Sequence, residues 1–236
     1  KRPVEAEAVY LEDLERARAE VGPAAPVVDK LRAFYNHPRF IAISAEHVGA
    51  GLDLVDQDRR PAACLVFTAH SIPLAMASGC ACESQLREAC MLVAKAAGHG
   101  RWDLVYQSRS GPPQVPWLEP DIGDHLRGLA AGGVTDVVVS PLGFLSDHIE
   151  VLYDLDHEAR AVAGELGLTM IRAGTVGTHP AFVTMIRELV QERLDAGIEK
   201  RFLGRLAPGH DICPQDCCLP GTGRPSPWDS SRREGR

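Results

Sequence analysis

Cys64-Leu-Val-Phe67 and Val137-Val-Val139 are apolar at consecutive positions, and strands with that pattern bury both faces. A half-solvated strand alternates apolar with polar residues; these two do not. Both faces of a sheet are covered when helices cross between parallel strands, and the rest of the chain supplies helix-length segments at the right places. Residues 84–97 repeat Leu86, Cys90, Val93 and Ala97 at helical spacing. Residues 102–107 read as the next strand, and 121–131 as a helix with acidic residues in its first turn, where the helix dipole favours them. A strand over 136–140, a helix over 155–166, a strand over 169–173 and a long helix over 180–194 continue the alternation. The expected fold class is therefore α/β with a parallel sheet.

The first sixty residues break that rhythm. Residues 5–19 read as a helix rich in Glu, Ala and Arg, and Gly22-Pro-Ala-Ala-Pro26 interrupts it. A second helix is expected through Phe34-Tyr35, with Asn36-His-Pro38 as its stop, and a third over 39–57. Three helices before any strand are odd for an α/β domain, and the first residue is Lys1, so the chain reads as part of a longer one. From Leu206 the character changes again, and 219–236 is so rich in Pro, Gly, Ser and Arg that disorder is expected. Three regions result: 1–60, 61–205 and 206–236.

Charge removes several function classes. A net charge of −7 with a pI near 5.7 leaves no basic stripe to neutralise phosphates, which argues against nucleic acid as partner. No apolar run approaches the roughly 20 residues a membrane span needs. No charged-then-apolar leader pattern opens the chain, and a cytoplasmic location is expected.

Two stretches carry the chemistry. Phe67-Thr-Ala-His-Ser-Ile-Pro73 ends one buried strand on His70, and Ser140-Pro-Leu-Gly-Phe-Leu-Ser-Asp-His-Ile-Glu150 follows another with Asp147, His148 and Glu150. Open α/β sheets bind ligands at the carboxyl ends of their strands. A histidine opposite a carboxylate there can grip a divalent cation or move protons. A turn histidine that only satisfies backbone groups is the plainer alternative for His70. Asp154 extends the acidic line from solvent inward, whereas Asp156 and Glu158 read as helix-start residues on a solvated face. The proline-rich loop after residue 107 adds Arg109, suited to a carboxylate of an anionic ligand, and Trp117, suited to a flat one or to anchoring its own loop.

These stretches, with Tyr106-Gln-Ser-Arg-Ser-Gly-Pro-Pro113 and Pro116-Trp-Leu-Glu-Pro-Asp121, closely resemble ferrochelatases, which insert iron(II) into a porphyrin. The resemblance covers roughly residues 5–205. It implies two similar Rossmann-like chelatase domains with the porphyrin between them, here a complete carboxyl-terminal domain plus the helical tail of the amino-terminal one. About a hundred residues that precede this point in the family, carrying the first strands of its amino-terminal domain and one wall of the cleft, are then absent from the chain. Carried over by motif, His70 and Glu150 contact the substrate iron and take the pyrrole protons. Asp147, His148 and Asp154 support them, and Tyr10, Arg109 and Trp117 contact the porphyrin. The loop resembles actinobacterial members, which implies coproporphyrin III as substrate; the alternatives are protoporphyrin IX, or a non-catalytic fragment that binds porphyrin or metal.

Seven cysteines in a reducing compartment do not suggest a disulfide framework. Cys64 and Cys90 read as small buried hydrophobes. Cys213, Cys217 and Cys218 lie where some ferrochelatases carry a [2Fe-2S] cluster, which needs four thiolates. Cys80 is the expected fourth ligand, with Cys82 as runner-up. A zinc site is the alternative for the same residues.

Overall fold

The computed structural model describes the backbone of residues 7–211 and the side chains of 13–211. The chain opens with α1 (Glu7–Val21), a 3-10 turn (Gly22–Ala24) and α2 (Pro38–Asp53), then enters the first strand, β1 (Cys64–His70). α3 (Leu74–Ala77), α4 (Cys82–Ala96), β2 (Trp102–Gln107), α5 (Ile122–Ala131) and β3 (Asp136–Ser140) follow. One continuous helical stretch then comprises α6 (Ile149–Val151), a π-helical segment (Leu152–Ala159) and α7 (Arg160–Glu165). β4 (Thr169–Arg172) and α8 (Pro180–Leu194) complete the order.

The four strands are parallel in the order β2-β1-β3-β4, with Leu65 opposite Trp102, Cys64 opposite Val137 and Val137 opposite Met170. Consecutive apolar residues in β1 and β3 divide between two cores, as the pleat requires. Leu65, Phe67 and Val138 join α2, α4 and α8 on one face; Cys64, Val66, Val137 and Val139 join α5 and the α6–α7 stretch on the other. Each fully buried Leu or Phe at these positions contributes roughly 1.5–3 kcal/mol.

The expected α/β parallel sheet is thus present, and β2, β3 and α8 keep their expected bounds. The opening region differs. Residues 25–34 form no helix. The segment is instead pinned at Arg32, whose Nε and Nη2 bond the Glu192 carboxylate of α8 at 2.6 and 3.1 Å with both side chains buried. Asn36-His37-Pro38 starts a helix rather than stopping one: His37 Nδ1 accepts the Arg39 amide at 3.2 Å, with Pro38 in the first turn. α2 also lies within the sheet's own core, with Gly51 so near Val138 that a Cβ would meet its Cγ1 at 2.9 Å. Residues 38–55 therefore share a core with 61–205, and the expected division at residue 60 does not separate two packed units.

Residues 203–207 return across this opening region. Leu203 N donates to Asn36 O, Asn36 Nδ2 to Leu206 O, and Tyr35 Oη to Ala207 O. No helix among the described residues is long and apolar enough to cross a membrane.

Candidate functional site

His70 ends β1 and pairs in register with Gln107, the last residue of β2. Its Nδ1 lies 2.5 Å from the Ser71 carbonyl oxygen. A carbonyl only accepts, so in the neutral ring Nδ1 carries the proton and Nε2 keeps the lone pair. Ser71 is fixed in turn: its amide donates to Gln107 O at 2.8 Å and its Oγ to Leu118 O at 2.8 Å. The plainer reading of His70 accounts for Nδ1 alone; Nε2 remains available for a cation or a proton.

The segment after β3 is held against the end of β1. Gly143 N donates to Thr68 O at 2.9 Å, and a Cβ on Gly143 would lie 2.6 Å from Ala69 Cβ. Only glycine permits that approach, which brings residues 144–150 to the edge that carries His70. His148 caps α6, its Nδ1 accepting the Glu150 amide at 3.3 Å, and its ring stands edge-on to Phe144. Glu150 occupies the first turn of α6 with its carboxylate unbonded among the described residues. No hydrogen bond or ion pair among them joins Glu150 to His70. Asp147 faces away, its carboxylate bonded to Arg172 of β4 at 3.0 Å.

Asp154 makes the connection that Glu150 lacks. Its Oδ2 accepts from Gln107 Nε2 at 3.2 Å and from Ser108 Oγ, which ties the π-helical segment to the end of β2 beside His70. Ser108 has φ of +62°, an uncommon conformation for a residue with a side chain, and one that recurs where a site needs a group aimed. A cavity of about 410 Å³ opens here, lined by Gln107, Ser108, Arg109, Arg127, Asp154 and Glu158 among others. Asp154 and Glu158 both belong to the π-helical segment and both line the cavity; Glu158 is solvent-exposed, as a residue on a solvated face would be.

The loop residues are more structural than expected. Trp117 is only 4% exposed, and a Cβ on Gly111 would meet its ring at 2.4 Å. The ring anchors its own loop, a correction to its expected porphyrin contact. Arg109 Nη2 donates to the carbonyls of Pro113 and Val115, clamping the loop while leaving the guanidinium half-exposed at the cavity. Tyr10 lies on α1, with its side chain outside the described residues.

The cysteine expectations divide. Cys80 is bonded to Cys82 in a disulfide, with Cα atoms 5.3 Å apart, so as it stands it offers no thiolate to a cluster; that corrects its expected role. Cys213, Cys217 and Cys218 lie outside the described residues. Cys90 is fully buried, and its thiol is pushed up by that burial.

Sequence reasoning missed Gln107, Ser108 and Gly143. The only available signal for Gly143 was its place between Pro141-Leu142 and Phe144, and nothing local marks a serine as left-handed.

The ferrochelatase family profile matches residues 6–194. The chain belongs to the ferrochelatase family. A ferrochelatase of Rhodopirellula baltica is 53% identical over 218 residues, covering 92% of this chain and 62% of that relative. A coproporphyrin III ferrochelatase of Nocardia farcinica is 50% identical over 225 residues, covering 89% of the chain and 63% of the relative. Another, of Mycolicibacterium vanbaalenii, is 46% identical over 220 residues, 89% and 65% respectively. The chain therefore spans a little over three fifths of the length of these ferrochelatases.

Proposed function

We propose that this chain carries the iron-inserting edge of a coproporphyrin III ferrochelatase of haem synthesis. The observation that carries the proposal is His70, held through Nδ1 so that Nε2 is available at the sheet edge where Glu150, Asp154 and Glu158 follow one another. Insertion replaces two pyrrole protons by iron(II), so the site must hold a dication and accept two protons. His70 Nε2 contacts the incoming iron, and Glu150, unbonded and one turn into its helix, takes the protons. Asp154, bonded to Gln107 and Ser108, passes cations or protons along the carboxylate line. His148 and Asp147 act by position: the first starts the helix that presents Glu150, the second ties that segment to β4.

Relatives named for coproporphyrin III support that substrate, and the half-exposed Arg109 and Arg127 beside the cavity suit a porphyrin bearing four carboxylates. Protoporphyrin IX is the second substrate to test. A fragment that binds porphyrin or metal without turnover is the other reading. Anaerobic iron(II)-insertion assays with both porphyrins separate these. Activity with coproporphyrin III, lost in His70→Ala and reduced at least about 100-fold in Glu150→Gln, is the expected result. Turnover with neither porphyrin leaves the binding reading, and unchanged turnover in Glu150→Gln removes that residue from proton transfer.

A [2Fe-2S] cluster or a zinc ion at Cys213, Cys217 and Cys218 belongs to the same proposal. Anaerobically reconstituted protein is expected to absorb in the visible region, and Cys213→Ser to lose that absorbance. A cytoplasmic location completes the proposal; cell fractionation tests it.

A further inference from the structure

Cys64 at the start of β1, Asp103 near the start of β2 and His125 in α5 converge at the sheet edge opposite His70. Cys64 is fully buried, as a small hydrophobe would be, yet its Sγ lies 3.4 Å from Asp103 Oδ2. The same oxygen is 3.3 Å from His125 Nε2, and all three ligand atoms lie within 4.8 Å of one another. A tetrahedral cation with bonds of about 2.0–2.3 Å separates its ligand atoms by about 3.3–3.8 Å. Two of the three separations already have that size, and a small rotation of the imidazole closes the third.

The imidazole is otherwise unaccounted for. Among the described residues, His125 Nε2 is sealed from solvent without a hydrogen bond, whereas Asp103 is 47% exposed and opens a path to water for a fourth ligand. Sulfur, nitrogen and one carboxylate oxygen suit a borderline dication; calcium and magnesium prefer oxygen throughout.

We infer that Cys64, Asp103 and His125 form a binding site for a transition-metal dication of the zinc class, separate from the iron-inserting edge. β1 runs from Cys64 to His70, six steps of about 3.3 Å, so the two edges are about 20 Å apart. A cation at this distance is not in contact with a porphyrin at His70. It cross-links β1, β2 and α5, replacing the thiol proton that Cys64 otherwise donates to Asp103.

Cobalt(II) titration of the full chain tests the inference, because a thiolate ligand gives a sulfur-to-cobalt charge-transfer band. The readouts are equivalents bound at equilibrium dialysis, band intensity, and the rise in Tm with added zinc that binding to the folded state produces. His70→Ala is expected to keep the band and the zinc-dependent Tm rise. Cys64→Ser is expected to lose one bound equivalent, part of the band and the Tm rise. His125→Ala is expected to lose the equivalent and the Tm rise with Cys64 intact. Unchanged stoichiometry and Tm response in His125→Ala, or an unchanged band in Cys64→Ser, overturns the site. Iron insertion is not among the readouts, so the outcome is independent of the proposed activity.

Discussion

At the scale of single residues, two positions hold the edge together through backbone geometry. Ser108 places its Oγ on Asp154 from a left-handed conformation that costs roughly 1 kcal/mol for a residue with a Cβ. Ser108→Ala keeps that cost and loses the bond, so it is expected to destabilise by about 1–2 kcal/mol in urea unfolding. Ser108→Gly loses the same bond but relieves the backbone, and is expected to unfold at a higher urea midpoint than Ser108→Ala. A reversed order would show that the strain is not felt. Gly143 is the second position. Gly143→Ala sets a methyl group 2.8 Å from Ala69 Cα, so the segment carrying His148 and Glu150 must move outward. We expect a stability loss of about 1–3 kcal/mol by thermal unfolding and a larger proportional loss of iron insertion, because the carboxylate moves with the loop. None of this is legible in composition. A glycine in a string and a serine after a strand show nothing of the neighbours they approach.

At the scale of elements, the expected helix over 155–166 is the later part of a stretch that begins at Ile149 and runs as a π-helix over Leu152–Ala159. A search at 3.6-residue spacing finds it from residue 155 and misses its first turns, 149–154. Those first turns, which carry Glu150 and Asp154, were therefore legible as acids but not as one element with the helix that follows. The segment between α1 and α2 teaches the opposite lesson. Its Phe34 and Tyr35 resemble a helix end, yet its order comes from a buried ion pair 160 residues away in sequence, Arg32 with Glu192. Glu192→Gln removes a full charge from that pair and leaves Arg32 buried beside a neutral amide. We expect a loss of about 3–5 kcal/mol by chemical unfolding, with much of it regained when Arg32→Met and Glu192→Leu are combined. Equal stability of Glu192→Gln and the unaltered chain would mean that the pair is hydrated in solution.

At the scale of the whole molecule, pH acts first through His37, which caps α2 from within the core. Burial, and then the Arg32 charge, hold its pKa below its ordinary 6.5, against the opposing pull of Glu188 and Glu192, while Arg201 adds to the lowering. The unfolded chain therefore takes up a proton at a higher pH than the folded one. The stability linked to His37 is complete above about pH 6.5 and declines as pH falls through the lowered folded value. Glu188, lowered below 4.5 chiefly by its bonds to Arg39, loses its contribution only further down. His37→Asn keeps an acceptor for the Arg39 amide but cannot titrate, so its Tm is expected to vary less between pH 7 and 5.5; an unchanged slope would assign the effect elsewhere. From β1 onward the alternation of strands with long helices, the parallel sheet and the two edge motifs with His70 and Glu150 were determined by sequence alone, because apolar periodicity and short motifs are local properties of the chain. Tertiary structure decided the rest. Trp117 turned inward, Asp147 went to Arg172, α2 entered the sheet's core, and Cys64 met Asp103 and His125. Each depends on which distant groups share a volume, and desolvation, packing and pairing are fixed only when the chain closes on itself.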